Sequence, residues 1–99
     1  MTDLSACSGE ELKRTASICN RRGLHARAAA KFVKLAATFD AQVHVAHRGT
    51  EVSGLSIMGL MMLAAAPGCS VELRAEGTQA AAALEALCGL IAKKFDEED

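Results

Sequence analysis

The spacing of apolar residues predicts three helices in this chain. Apolar residues recur at helical spacing over residues 26–38 and form one stripe: Ala29, Phe32, Leu35 or Ala36, and Phe39. A second stripe runs along residues 79–95: Ala80, Ala83 or Leu84, Leu87, Ile91 and Phe95. Thr78 is in position to cap that helix. A short apolar helix is predicted over residues 56–66, with Ser56 at its N-cap.

Alternation of apolar and polar residues predicts four strands, over residues 12–18, 41–47, 50–53 and 70–75. Arg48-Gly49 separates the middle two strands and indicates a hairpin. Helices with one apolar stripe and strands with one polar face favour an antiparallel sheet covered by helices on a single face. The predicted fold class is therefore α+β, in the order β-α-β-β-α-β-α, of the split β-α-β kind.

The length of 99 residues fits a single domain. The pattern places this domain at residues 12–95. A flexible N-terminal tail, 1–11, is expected before it and an acidic C-terminal tail, 96–99, after it. The first residues, MTDLSACSGEE, contain an early acid and no apolar stretch, so a secretory signal is not expected. No apolar run approaches the length of a membrane span. We therefore expect a cytoplasmic, monomeric protein without a membrane partner.

Composition argues against two classes of function. Lys and Arg number 11 against 12 acidic residues, and the chain has no Trp or Tyr, so a nucleic-acid partner is not expected. The four cysteines form no C-x-x-C pair. His44 and His47 fall on opposite faces of a predicted strand and cannot share a metal ion. We expect no metal and no other cofactor.

The candidate chemistry lies at the start of the first helix, where His25 precedes Arg27. Helix N-termini carry unpaired backbone N–H groups and a partial positive charge, and they bind anions. Both the helix end and the Arg27 guanidinium disfavour a charged imidazole, so a neutral ring with a nucleophilic lone pair is expected at pH 7. Phosphoryl transfer would use this ring, the guanidinium and the amides of Ala26 and Arg27. Alternatively, His25 is only a surface or capping residue.

A second set of candidate residues follows Ser56. Ser56 itself is either a simple helix cap or also a phosphorylation site. A helix this short cannot bury all of its apolar residues. We therefore expect Ile57, Met58 and Met61 to be exposed near His25. Leu60 and Leu63 are expected to be buried, and the alternative is that all five are buried. A docking surface of this kind would have a basic rim that steers acidic partners: Arg22, Arg27, Lys31 and Lys34.

Two segments, GLHARAAAKFV and SIMGLMML, resemble the two signatures of the HPr family, the histidine phosphocarriers of the bacterial phosphoenolpyruvate:sugar phosphotransferase system. They lie about thirty residues apart, as in the family, and the similarity extends over residues 12–95. The resemblance implies an open-faced β-sandwich. It implies that His25 accepts phosphate on Nδ1 from phosphorylated enzyme I and passes it to an EIIA-type protein. Arg27 would steady the phosphoryl group, and HPr kinase/phosphorylase would phosphorylate Ser56.

The chain departs from the family pattern at Ala28, where the family usually has proline. Proline suits the first helical turn because its fixed φ and missing N–H cost nothing there. Alanine keeps the helix but adds an N–H and a softer turn. A non-proline residue here is similar to the nitrogen-related, NPr-like branch, which favours a regulatory relay over direct sugar transport.

The leading interpretation is thus a phosphoryl carrier rather than a stand-alone enzyme. One alternative is a purely regulatory binding module, in which Ser56 phosphorylation or the apolar surface acts and His25 takes no part. Another is a small-ligand or metal-binding domain on a related fold, against which the cysteine and histidine spacing argues.

Overall fold

The computed structural model describes residues 11–63 and 65–96, which form a four-stranded antiparallel sheet and three α-helices. The element order agrees with the predicted β-α-β-β-α-β-α. The elements are β1 Leu12–Ser17, α1 Ala26–Ala36, β2 Gln42–His47, β3 Thr50–Ser53, α2 Ile57–Met62, β4 Ser70–Glu76 and α3 Ala80–Ala92.

The sheet has the strand order β1-β4-β2-β3, and all its pairs are antiparallel. Leu73 lies opposite Arg14 on one side and Val45 on the other, and Val45 in turn lies opposite Val52. Alternate residues of each strand therefore share one face. On the inner strands these residues are buried, as the alternation predicts: Val43, Val45, Val71, Leu73 and Ala75.

The helices cover this apolar face with the stripes that the periodicity predicts. Phe32 of α1 is buried, and its neighbours Ala28, Ala29 and Ala36 complete the buried face of that helix. The buried residues of α3 are Ala80, Ala83, Leu84, Leu87 and Ile91. Packing of these stripes on the sheet stabilises the fold, because each fully buried large apolar side chain contributes about 1.5–3 kcal/mol.

Both of the later helices are shorter than predicted. Helix α2 ends at Met62 rather than at residue 66, and Ala65 lies in a loop. Helix α3 ends at Ala92, and a 3-10 turn, Lys94–Asp96, follows it. Phe95 has a φ of 54° in that turn and is buried. The helical spacing correctly identified Phe95 as a core residue, but a left-handed turn, not the helix, brings it there.

Thr78 does not cap α3, contrary to the prediction. The N-cap residue is Gln79, which makes no side-chain capping hydrogen bond. The Thr78 hydroxyl instead donates to Oδ2 of Asp40 at 2.5 Å, and the Asp40 N–H donates to Oε1 of Gln79 at 2.7 Å. The loop after α1 is thereby joined to the residues just before α3.

The predicted tails fall mostly beyond the described part of the chain. Of residues 1–11, only Glu11 is described, and its carboxylate lies 3.2 Å from the guanidinium of Arg74. Of residues 96–99, only Asp96 is described. The boundaries of the domain at 12–95 stay a prediction.

Candidate functional site

His25 occupies the N-cap position of α1, as the sequence predicts. Its backbone is extended, with φ −86° and ψ −178°, and its carbonyl accepts the first helical hydrogen bond, from the Ala29 N–H at 2.8 Å. The side chain is half-buried and makes no capping hydrogen bond to the helix. The imidazole therefore stands at the end of α1 where the N–H groups of the first turn point outward, and a helix has positive electrostatic potential there.

The loop before His25 is held by a buried asparagine. Asn20 is fully buried, and its Nδ2 donates to the Gly23 carbonyl at 2.8 Å. The same carbonyl accepts the His25 N–H at 2.9 Å, and the Gly23 N–H donates to the Asn20 carbonyl at 3.2 Å. Asn20 thus fixes the backbone that delivers His25 to the helix. This role of Asn20 was not predicted from the sequence, in which asparagine and glycine in one short loop were the available signal.

The same loop is attached to the chain that follows α2. The Leu24 N–H donates to the Ala65 carbonyl at 3.0 Å. Gly23 has a φ of +68°, and a Cβ placed there would lie 2.5 Å from the Ala65 oxygen. Only glycine allows both the left-handed turn and this close approach. Helix α1 also packs against α2, so the segments that carry the two sequence signatures are in direct contact.

Helix α1 presents a cationic surface beside the histidine. Arg27 and Lys34 are exposed, and the first turn contains no acidic residue. Ala28 is completely buried, so its methyl group packs into the core. The first turn is helical without proline.

Lys31 differs from the other residues of the expected basic rim. Its Nζ donates to the Phe95 carbonyl at 2.7 Å, and its side chain is half-buried. The turn after α3 thus reaches α1 at this position, and the place of Lys31 in the basic rim stays a prediction. Arg22, the remaining rim residue, is exposed.

Ser56 is the N-cap of α2, as predicted. Its Oγ accepts the Gly59 N–H at 2.9 Å, and it is half-buried. Ile57, Met58 and Met61 are exposed by 40%, 73% and 43%, whereas Leu60 and Leu63 are buried. Two further large apolar residues, Leu55 and Met62, are also exposed, which the sequence did not predict. We call the five exposed residues the apolar patch: Leu55, Ile57, Met58, Met61 and Met62.

The remaining histidines and cysteines do not form a second site in the described residues. His44 and His47 are half-buried on the sheet, and His47 Nδ1 lies 3.1 Å from the Ser70 carbonyl oxygen. Cys88 is half-buried, and burial raises the pKa of its thiol, an effect that the charge of Arg14 opposes. No group of three metal-binding side chains occurs within residues 11–63 and 65–96. None of the helices described is long and apolar enough to cross a membrane.

Known proteins are similar to this chain over most of its length. The family model described as the PTS HPr component phosphorylation site matches residues 12–93. Phosphocarrier protein NPr of Shewanella violacea is 44% identical over 88% of this chain and 96% of its own length. Phosphocarrier protein HPr of Cupriavidus necator is 46% identical over 87% of this chain and 97% of its own.

A solved structure shows the same fold. The crystal structure of HPr-C-His from Thermoanaerobacter tengcongensis superposes with a TM-score of 0.84 at 43% identity, covering 89% of this chain and 99% of that one. The open-faced sandwich expected from the resemblance is confirmed. With a family model over most of the chain and relatives at 44% and 46% identity, the protein belongs to the HPr family of phosphocarriers of the phosphotransferase system.

Proposed function

We propose that His25 accepts a phosphoryl group from phosphorylated enzyme I and passes it to an EIIA-type protein. The observation that supports this best is the position of His25 at the N-cap of α1, beside the outward-pointing N–H groups of the first turn. Membership of the HPr family implies enzyme I and EIIA-type proteins as partners. The residue that carries the phosphoryl group is the part proposed here.

The transfer step requires a neutral ring with its proton on Nε2. The Nδ1 lone pair then attacks phosphorus, the new N–P bond forms, and the bond from phosphorus to its donor atom on enzyme I breaks. The Arg27 guanidinium and the amides of Ala26 and Arg27 would stabilise the charge on the three equatorial phosphoryl oxygens. Transfer to the EIIA protein repeats the exchange with His25 as the donor.

The apolar patch and the cations around it would form the docking surface for both partners. Exposed methionines adapt to differently shaped surfaces because their side chains are flexible. Arg22, Arg27 and Lys34 would steer acidic partners towards the patch. A carrier has to release each partner quickly, and a small apolar contact with a charged rim suits brief association. Lys31 would contribute less than the sequence indicated, because it is bonded to Phe95.

We further propose that Ser56 is a regulatory phosphorylation site, with HPr kinase/phosphorylase as the modifying enzyme. A phosphate on Oγ would add nearly two negative charges at the start of α2, next to Ile57 and Met58. A helix N-terminus tolerates this charge, so the fold would persist, while docking through the apolar patch would weaken. This arrangement also supports the second candidate function, a regulatory module that acts through Ser56 without phosphorelay.

Ala28 favours the nitrogen-related branch of the family. Relatives named NPr and HPr match with similar identity, so the acceptor protein has to distinguish the branches. The test is transfer from phosphorylated protein to EIIA proteins of the nitrogen-related and sugar-specific kinds, with faster transfer to the former expected.

We also propose that the protein is a cytoplasmic monomer. An HPr of Thermoanaerobacter tengcongensis has been solved as a dimer, so the oligomeric state needs measurement. Light scattering after size exclusion, over a range of concentrations, distinguishes the two states.

The deciding experiment for the carrier function is incubation with cognate enzyme I and phosphoenolpyruvate, followed by mapping of the modified residue. We expect one acid-labile, alkali-stable phosphate on His25. The His25→Ala variant should fold normally and accept none, while His44→Ala, a matched change on the sheet, should accept phosphate like the wild type. Phosphorylation of His25→Ala would show that the site is wrong, and no phosphorylation of the wild type would favour the regulatory module.

A further inference from the structure

The end of the described chain is fixed against α1. Phe95 is 1% exposed, and Lys94, Phe95 and Asp96 have φ values of 59°, 54° and 61°, so the backbone turns sharply after α3. The Phe95 carbonyl accepts the hydrogen bond from Lys31 Nζ at 2.7 Å. A buried side chain and a charge-assisted hydrogen bond thus determine where Asp96 leaves the core.

Helix α1 offers positive charge at that place. Arg27, Lys31 and Lys34 share one side of the helix, which we call the basic face. Within residues 11–63 and 65–96, the ion pairs involve Arg74 only, and no carboxylate pairs with Arg27 or Lys34. The basic face is therefore not neutralised by the described carboxylates.

Four consecutive acids, residues 96–99, follow Phe95. They lie beyond the part of the chain that the family model matches, which ends at residue 93. Arg27 is one helical turn from Lys31, about 6 Å along the helix axis. Three residues beyond Asp96 can extend by about 10 Å. The segment is therefore long enough for its carboxylates to reach Arg27, and their charge is opposite to that of the guanidinium.

We propose that the acidic segment 96–99 docks on the basic face of α1 and competes there with the phosphoryl group on His25 and with acidic surfaces of partner proteins. The docking stands on the anchored turn and on charge complementarity, whereas the competition rests on the proposed carrier function. Exposed charge pairs are individually weak and are screened beyond about 10 Å at 0.1 M salt. The segment is thus a weak internal competitor whose effect depends on ionic strength.

The kinetic test compares two variants of equal net charge. Glu97→Gln/Glu98→Gln removes two charges from the segment, and Glu72→Gln/Glu85→Gln removes two exposed charges from β4 and α3. At about 0.02 M salt we expect the first variant to be phosphorylated by enzyme I about two- to fivefold faster than the second, measured as kcat/KM. At about 0.5 M salt the difference should disappear. Equal rates at low salt would overturn the competition.

The docking itself is measured by NMR on the unphosphorylated protein. We expect Glu97→Gln/Glu98→Gln to shift the Arg27 side-chain Nε–Hε resonance, and Glu72→Gln/Glu85→Gln to leave it unchanged. No shift would overturn the docking. A shift that depends on protein concentration would also overturn it, because the segment would then bind a neighbouring molecule. If wild-type protein accepts no phosphate, the carrier function fails, while this shift still tests the docking.

Discussion

Replacement of Gly23 by alanine should damage the site more than it damages the fold. The residue has a φ of +68°, and an added Cβ would lie 2.5 Å from the Ala65 carbonyl oxygen. A non-glycine residue in the left-handed region costs about 1–2 kcal/mol. Moving the loop away from Ala65 also loses the hydrogen bond from the Leu24 N–H, worth about 1 kcal/mol. We expect Gly23→Ala to lower the free energy of unfolding by about 2–3 kcal/mol.

The consequence for phosphoryl transfer follows from the His25 N–H, which donates to the Gly23 carbonyl at 2.9 Å. A loop displaced by about 1 Å moves the imidazole relative to the helix end, and misplacement on that scale can slow a reaction by about a hundredfold. We therefore expect phosphorylation by enzyme I to slow at least tenfold under conditions in which the variant is folded.

Gly49→Ala is the matched control for this prediction. Gly49 has a φ of +84° but no atom within 4 Å of an added Cβ, and it lies in the β2–β3 turn. Its replacement should cost about 1–2 kcal/mol, from the backbone alone, and leave the phosphorylation rate unchanged. Urea unfolding and the enzyme I assay measure both quantities. If Gly23→Ala equals Gly49→Ala in both, the contact with Ala65 does not position His25.

Three further predictions concern single side chains. Arg27→Ala should slow phosphoryl transfer at least tenfold, which corresponds to about 1.4 kcal/mol of transition-state stabilisation. Its free energy of unfolding should change by less than about 0.5 kcal/mol, as for the control Lys34→Ala. A large loss of stability would show that Arg27 has a structural role. Ser56→Ala should lower the free energy of unfolding, measured with denaturant, by about 1 kcal/mol. Ser56→Asp can still cap α2, so its free energy of unfolding should stay near that of the wild type. Equal losses in the two variants would contradict the capping role. Because burial raises the pKa of Cys88 and Arg14 opposes this, alkylation of Cys88 should begin at higher pH than for a model thiol, and Arg14→Ala should move it higher still. An unchanged alkylation profile in Arg14→Ala would refute that coupling.

Much of the fold followed from periodicity alone. Helical spacing identified most buried residues of α1 and α3, including Phe32 and Leu87, but it missed Ala28. Alternation identified the inward residues of β4. These predictions succeed because burial of one face imposes a period on any amphipathic element. The prediction that Thr78 caps α3 was wrong because its hydroxyl donates to Asp40, which is distant in sequence, instead of capping the helix.

Part of the site was also accessible from the sequence. His25 and Ser56 were placed at helix starts because N-cap positions have local signals, and the structure has both residues there. Exposure of Met58 followed from the short length of α2. The role of Asn20 and the bond between Lys31 and Phe95 could not be predicted in this way, since neither contact follows a period.

The amino-acid sequence by itself determined the order of elements, the buried faces and the two helix starts that carry His25 and Ser56, because these depend on neighbours a few residues away. Tertiary structure alone decided that the Gly23 loop meets Ala65 and that the turn at Phe95 reaches Lys31. Those contacts join residues far apart in the chain, and their existence depends on how the helices pack on the sheet, which no local pattern encodes.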